Sequence, residues 1–276
     1  MAPARDRSSS WESRRRLENW RGIPASTSGE KSALIGDNRH VAPKSASPEA
    51  VALFAKVPAP GNVKTRLQPP LGPASAASLH LAFASDTWTM MQQLAPATLY
   101  LYSDAESEIY SAWAGEQARL QRGDDLGARM LACFADLQEA GHERILIVGS
   151  DVPSLPLEYL LSGFAKLHDH DAVLGPTADG GYYAVGCRAP HPAMFDGVTW
   201  SSSHTREQTE VAFQRLGYGV DLLPVWYDVD TSEDLQRLAA EPRLPPRTRA
   251  WLDQHVHLVA GGRDGNEQPA HVSGGR

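Results

Sequence analysis

Four stretches of this sequence gather side chains suited to chemistry on a phosphorylated ligand. In "FAKVPAPGNVKTRL" (54–67) an apolar run ends in Lys56, turns through Pro58, Pro60 and Gly61, and then presents Lys64, Thr65 and Arg66 in succession. Lysine and arginine in one turn, beside a glycine that lets backbone approach closely, suit a di- or triphosphate. Val63 precedes Lys64, so the GxxxxGK[ST] spacing of a P-loop fails. The competing reading is a surface loop of ordinary solvated cations.

The other three stretches supply acids. "VGSDVPSL" (148–155) sets Asp151 at the tip of an apolar run, where packing gives it no reason to be. A carboxylate there suits a divalent cation on a diphosphate, since Mg²⁺ takes one or two carboxylates plus phosphate oxygens. The alternative is a helix N-cap, although Ser154 lies nearer the next helix and is the better candidate. "YDVDTSEDL" (227–235) offers Asp228 and Asp230 before a helix; Thr231 or Ser232 can cap it, and Glu233 and Asp234 suit its positive end. Asp230 is then left over as a second metal acid. "GPTADGGYY" (175–183) reads equally as an Asp-Gly hairpin and as a close backbone approach to substrate at Gly180, Gly181 and Tyr182, with Asp179 orienting a hydroxyl or acting as base. "DGVTWSSSHT" (196–205) adds Trp200, either core or acceptor wall, with Ser201 beside it and Ser203 as a possible cap. The histidines lack the spacing of a zinc site.

These groups need elements to position them, and strand and helix signals alternate along the chain. "VALFAK" (51–56), "ATLYLY" (97–102), "RILIVGSD" (144–151), "AVLGP" (172–176) and "GYYAVGC" (181–187) read as strands, with a further strand inside 218–229. From Pro73, apolar residues at 74, 77, 81, 84, 88 and 91 mark a helix. Further helices are expected over 126–141, with Gly141 as its C-cap, and over 156–168, 203–217 and 232–240. Such alternation implies an α/β fold, a mostly parallel central sheet with helices on both faces. Ligands of open sheets sit beyond the carboxyl ends of the strands, where all four stretches fall.

Composition limits the function. The chain has 276 residues, 42% of them hydrophobic, and a net charge of −7, which argues against a nucleic-acid partner. Cys133 and Cys187 are isolated and read as buried small hydrophobes in a reducing compartment. No apolar run approaches the roughly 20 residues that span a bilayer, and the N-terminus has no secretory signature, so a soluble cytoplasmic protein is expected. Residues 1–48, rich in Ser, Pro, Arg and Gly, are expected to be a disordered extension; 49–250 the folded domain; and 251–276 a flexible tail.

Six blocks in order, "FAKVPAPGNVKTRL", "QRGDDLGARM", "VGSDVPSL", "LGPTADGGYYAVG", "FDGVTWSSS" and "DVDTSEDL", resemble a bacterial family of GT-A-like (nucleotide-diphospho-sugar transferase-like) proteins. Its members carry labels such as arsenosugar-biosynthesis glycosyltransferase or radical-SAM/selenodomain-associated transferase, and it is similar at a distance to the 2-phospho-lactate guanylyltransferases. The resemblance covers about 50–240. It implies that Lys56, Lys64, Thr65 and Arg66 face donor phosphates, and that Gln121, Gly123 and Gly127 lie along the nucleotide. It further implies that Asp151 and Asp230 hold Mg²⁺ or Mn²⁺. Ser232 stands where proline is usual in "VDTPEDL", and the "AGG" opening of many nucleotidyltransferases is missing. The function expected is transfer from a nucleotide-sugar to a small-molecule acceptor, with Asp179 at the acceptor and Lys64 countering charge on the leaving group. The alternatives are nucleotidyl transfer from an NTP with pyrophosphate release, and nucleotide binding without catalysis.

Overall fold

The computed structural model describes residues 47–255 and 257–258. The expected N-terminal extension, 47 and 48 apart, lies outside the described residues, as does the tail beyond 258.

The strands are β1 (Glu49–Ala55), β2 (Thr98–Ser103), β3 (Ala118–Leu120), β4 (Arg144–Gly149), β5 (Ala172–Pro176), β6 (Tyr182–Cys187) and β7 (Val220–Leu222). They form one sheet in the order β3-β2-β1-β4-β6-β5-β7. All pairings are parallel except those of β6, which runs antiparallel to both β4 and β5. The glycine-containing turn at 177–181 makes β5 and β6 a hairpin, so the sheet is mostly parallel, as the alternating pattern implies.

Among the described residues the helices longer than one turn are α1 (Pro73–Met91), α2 (Glu108–Ala114), α3 (Leu126–Glu139), α4 (Leu157–Lys166), α5 (Thr205–Arg215), α6 (Ser232–Ala239) and α7 (Pro246–Gln254). Alternation along β1 builds two cores. Val51, Leu53 and Ala55 face α1, α2 and α4 through Trp88, Tyr110 and Phe164; Ala50, Ala52 and Phe54 face α3 and α5 through Phe134 and Phe213. A third cluster joins α1, α6 and α7 through Phe83, Leu238 and Trp251, and takes in Tyr227 and Val229. Burying each such side chain contributes about 1.5–3 kcal/mol.

Several expectations need correction. β3 and α2 did not register in the sequence, being only 3 and 7 residues long. The folded unit does not stop at 250: α7 crosses that point with Trp251 and Leu252 buried, and Asp86 accepts from its Arg247 and Thr248 backbone N–H groups. The fourth strand ends at Gly149, leaving Asp151 in the turn beyond it. Gly141 follows the C-cap, Ala140, with φ 93°.

Candidate active site

The first loop ends on Lys64, a non-glycine residue in the left-handed region (φ 48°, ψ 44°), just before a 3₁₀ turn over Thr65–Leu67. Val63 and Leu67 are buried on either side, which drives the lysine inward. Its Nζ lies 2.7 Å from the Val229 carbonyl, 2.9 Å from Asp230 Oδ1 and 2.7 Å from Asp151 Oδ1, with the Phe83 ring 5.5 Å away. Three partners match three ammonium protons. Burial alone would lower this lysine's pKa, but Asp151 and Asp230 more than offset it and hold the ammonium charged above its ordinary value. Lys64, expected at the donor phosphates, is thus buried with its three protons directed at protein acceptors. Lys56, Thr65 and Arg66 remain exposed on the same loop.

The acids come from three loops at the carboxyl edge. Asp151 follows β4, and its backbone carbonyl accepts from Val229 N–H at 3.0 Å, tying it to the segment after β7. That segment alternates: Tyr227 and Val229 are buried, whereas Asp228 and Asp230 are half-buried. Period-two backbone thus turns both acids away from the core that anchors them. Burial pushes Asp151 up, but Lys64 and then His80 outweigh it and hold the carboxyl well below the usual range. Asp228 moves the other way, to about 6, through burial and then the charges of Asp179, Asp230 and Asp151. Thr231 caps α6 in a capping box with Asp234, as the spacing predicts.

Asp179 sits in the β5–β6 hairpin, its Oδ1 accepting from Thr177 Oγ1 at 2.6 Å and Gly181 N–H at 3.1 Å. Gly180 has φ 92°, and a Cβ there would lie 1.9 Å from the Ser203 carbonyl oxygen, so hairpin and serine loop meet backbone to backbone. Gly127 meets the same loop from α3, where a Cβ would fall 2.6 Å from the Trp200 ring. Trp200 is half-buried and packs edge-on to Phe195, while Ser201 is exposed with φ 58°. Tyr182 does not offer its hydroxyl to a ligand: that oxygen is buried. Gln121 donates to the Tyr102 carbonyl, and Gly123 takes φ 138° where the chain turns towards α3.

The structure thus brings Lys64, Asp151 and Asp230 into one cluster and sets Asp179 near it through Asp228. Two expected caps are absent. Ser154 instead meets Tyr227 and Glu241, and the residue preceding α5 is His204 rather than Ser203. Sequence reasoning gave no role to two members of the cluster. Asp228 stands as the first acid of "YDVD" beside the chosen Asp230; His80, inside an apolar helix, gave no signal.

The donor set fits Mg²⁺ or Mn²⁺. Asp151 and Asp230 keep 38% and 40% of their side chains exposed, although each gives one oxygen to Lys64. Asp228 and Asp179 add negative charge with no further cation among their described contacts. Among the described residues no three His, Cys, Asp or Glu side chains could hold an ion by themselves. Two carboxylates completed by phosphate oxygens and water form a usual set for Mg²⁺. No helix among the described residues is long and apolar enough to cross a membrane.

Comparison with known proteins agrees with this architecture. The family described as "Uncharacterized protein conserved in bacteria (DUF2064)" matches residues 87–202. A curated relative, phosphoenolpyruvate guanylyltransferase from Chloroflexus aggregans, is 25% identical over 188 residues, covering 65% of this chain and 92% of its own. A crystal structure from Desulfovibrio desulfuricans G20, described as a "putative nucleotide-diphospho-sugar transferase", is 33% identical with a TM-score of 0.70, over 77% of this chain and 97% of the other. At that identity and coverage, the chain belongs to the same family as the Desulfovibrio protein, with its nucleotide-diphospho-sugar transferase-like α/β fold.

Proposed function

We propose that this protein is a metal-dependent transferase that takes a sugar from a nucleotide-diphospho-sugar and passes it to a small hydroxyl-bearing acceptor. One observation carries the reading: Asp151 and Asp230, from two loops at the carboxyl edge of the sheet, share a single buried ammonium, and Asp228, which senses the charges of both and of Asp179, adds to the negative charge there. That excess negative charge suits a divalent cation carrying a diphosphate. Asp151 and Asp230 would hold Mg²⁺ or Mn²⁺, which when bound neutralises charge on the departing nucleoside diphosphate. Lys64 keeps Asp151 ionised and ties both acids from behind. Lys56, Thr65 and Arg66, exposed on the first loop, would bind the donor phosphates, where preorganised charge is most effective. Gln121, Gly123 and Gly127 would lie along the nucleotide. Asp179 would orient the acceptor hydroxyl, beside Gly180 and Gly181, with Trp200 and Ser201 as the facing wall. An arsenosugar precursor is one acceptor of this kind. The two buried free thiols support a reducing, cytoplasmic setting.

A second reading, nucleotidyl transfer from an NTP to a phosphorylated small molecule, is favoured by the likeness to the Chloroflexus guanylyltransferase. The two readings differ in their products. A panel of nucleotide-sugars and NTPs with Mn²⁺, first screened by thermal shift, is followed by product analysis. Release of nucleoside diphosphate supports glycosyl transfer; release of pyrophosphate overturns it for the second reading. Ligand binding without turnover would leave a nucleotide-binding protein. A ligand at 100 times its Kd adds about 2.7 kcal/mol, well within reach of the screen.

A further inference from the structure

The first turn of α5 holds a clamp that the chemistry above leaves unused. Just before that helix the chain makes a short excursion, Trp200-Ser201, and the residues at both ends of it are tied to α5 side chains. At the near end, Thr199 N–H donates to Gln208 Oε1 at 2.7 Å, and the Thr199 carbonyl lies 2.9 Å from Thr205 Oγ1. At the far end, Ser202 N–H donates to the same Oγ1 at 3.2 Å, and the Ser202 carbonyl lies 2.7 Å from it. One hydroxyl, with a single proton and two lone pairs, thus serves both ends, and Thr205 is 7% exposed. The Ser202 carbonyl already accepts Thr205 N–H at 3.1 Å, which leaves the hydroxyl proton for the Thr199 carbonyl. Inside the excursion Ser201 has φ 58°, a left-handed backbone that a non-glycine residue keeps only where its neighbours are fixed. The Trp200 ring packs edge-on to Phe195 and leaves no room for a Cβ at Gly127. The residue after Thr205 holds the hairpin: Arg206 N–H donates to the Gly180 carbonyl at 3.0 Å.

We propose that Thr205, assisted by Gln208, is a positioning residue that fixes the Trp200 wall relative to the Asp179 hairpin and so sets the acceptor cleft before the acceptor arrives. Its hydroxyl closes the excursion at both ends, and the closed loop keeps Ser201 left-handed and Trp200 seated against Phe195. Because the neighbouring Arg206 carries the hairpin, wall and hairpin take their separation from one turn of helix. Without the hydroxyl, Thr199 and Ser202 are free to part, Ser201 relaxes to ordinary backbone, and the ring loses its fixed place. The inference rests on the reading of Trp200 as the acceptor wall.

T205V removes the hydroxyl while keeping the side-chain shape, T205S keeps the hydroxyl, and Q208L removes the other tie. Amide hydrogen exchange is followed by mass spectrometry on the full chain, comparing the peptide over 198–203 with one from the body of α5, and Tm is measured alongside. The expected result in T205V is exchange about five-fold faster over 198–203, the change that loss of one hydrogen bond brings, with the body of α5 unchanged. Q208L should act on the same peptide, and T205S should match wild type. Acrylamide quenching of Trp200, isolated by difference from W200F in each background, should rise in T205V. Wild-type exchange in T205V overturns the proposal. So does faster exchange in both peptides with a fall in Tm that T205S shares, since Thr205 would then be only a packing residue. The product assay tells the two ideas apart. With the donor and acceptor that it identifies, T205V should raise the acceptor KM and leave the donor KM unchanged. If W200A keeps a wild-type acceptor KM, or no acceptor turns over, Trp200 is no acceptor wall and the inference fails with that reading. If W200A raises the acceptor KM while T205V changes neither exchange nor KM, only the inference fails.

Discussion

Replacing Lys64 by methionine removes one charge from the most enclosed point of the site while keeping a side chain of similar length. In the native protein the ammonium serves Asp151, Asp230 and the Val229 carbonyl at 2.7–2.9 Å. Stranding the partners of a buried pair costs about 3–5 kcal/mol. Both acids are more than a third exposed, so solvent screens part of the penalty and a cost of about 3 kcal/mol is expected. For a domain of this size that corresponds to a Tm lower by roughly 6–12 °C. The assay is urea unfolding of both proteins in EDTA across pH. Asp151 is held below its ordinary pKa in the folded state, so its stabilisation is present above the unfolded value and lost as pH falls through the folded one. Lys64 is raised, so its contribution is present below the unfolded value and lost as pH rises through the folded one. The gap between wild type and K64M should therefore be full near neutrality and close at both extremes. Added Mn²⁺ should narrow it by supplying the missing positive charge. A neutral-pH cost below about 1 kcal/mol, the ordinary worth of an exposed pair, or a gap that does not change in acid, would refute the reasoning.

Three further predictions concern the supports of the site. Gly127→Ala drives a methyl into the Trp200 ring and should cost about 1–3 kcal/mol in urea unfolding, with a change in tryptophan fluorescence. Gly61 and Gly180 share φ 92°, but only Gly180 has backbone within reach of a new Cβ. Gly61→Ala should thus cost only the left-handed strain of about 1 kcal/mol, and Gly180→Ala distinctly more; equal Tm shifts would show that the contact with Ser203 is unimportant. Asp86→Ala removes the acceptor for Thr248 N–H and should cost about 1–3 kcal/mol, with faster amide exchange in α7.

The likeness to the Desulfovibrio protein and the residue-level geometry support different parts of the account. The first establishes the family and the fold; the second shows which charges meet. The unusual backbone of Lys64 connects them. A lysine held at φ 48° is costly for a surface loop, and here it directs the ammonium into a cluster of acids.

Features set by neighbouring residues were legible in the sequence. The buried run of β4, the proline-led α1 and the Thr231–Asp234 capping box each follow from local composition and spacing. So did the placing of Asp151, Asp179 and Asp230 beyond strand ends, because strand and loop alternate visibly. Elements of three and seven residues, β3 and α2, carry too little pattern to stand out, and they form because the sheet and its core are already there. Tertiary structure alone paired Lys64 with Asp151 and Asp230: these partners lie 87 and 166 positions away in sequence, and proximity across such a span is a property of the closed fold. His80 and Asp228 joined the site for the same reason. Burial and through-space charge act on distances in the folded molecule, and those distances follow from how the sheet, α1 and the segment after β7 pack together.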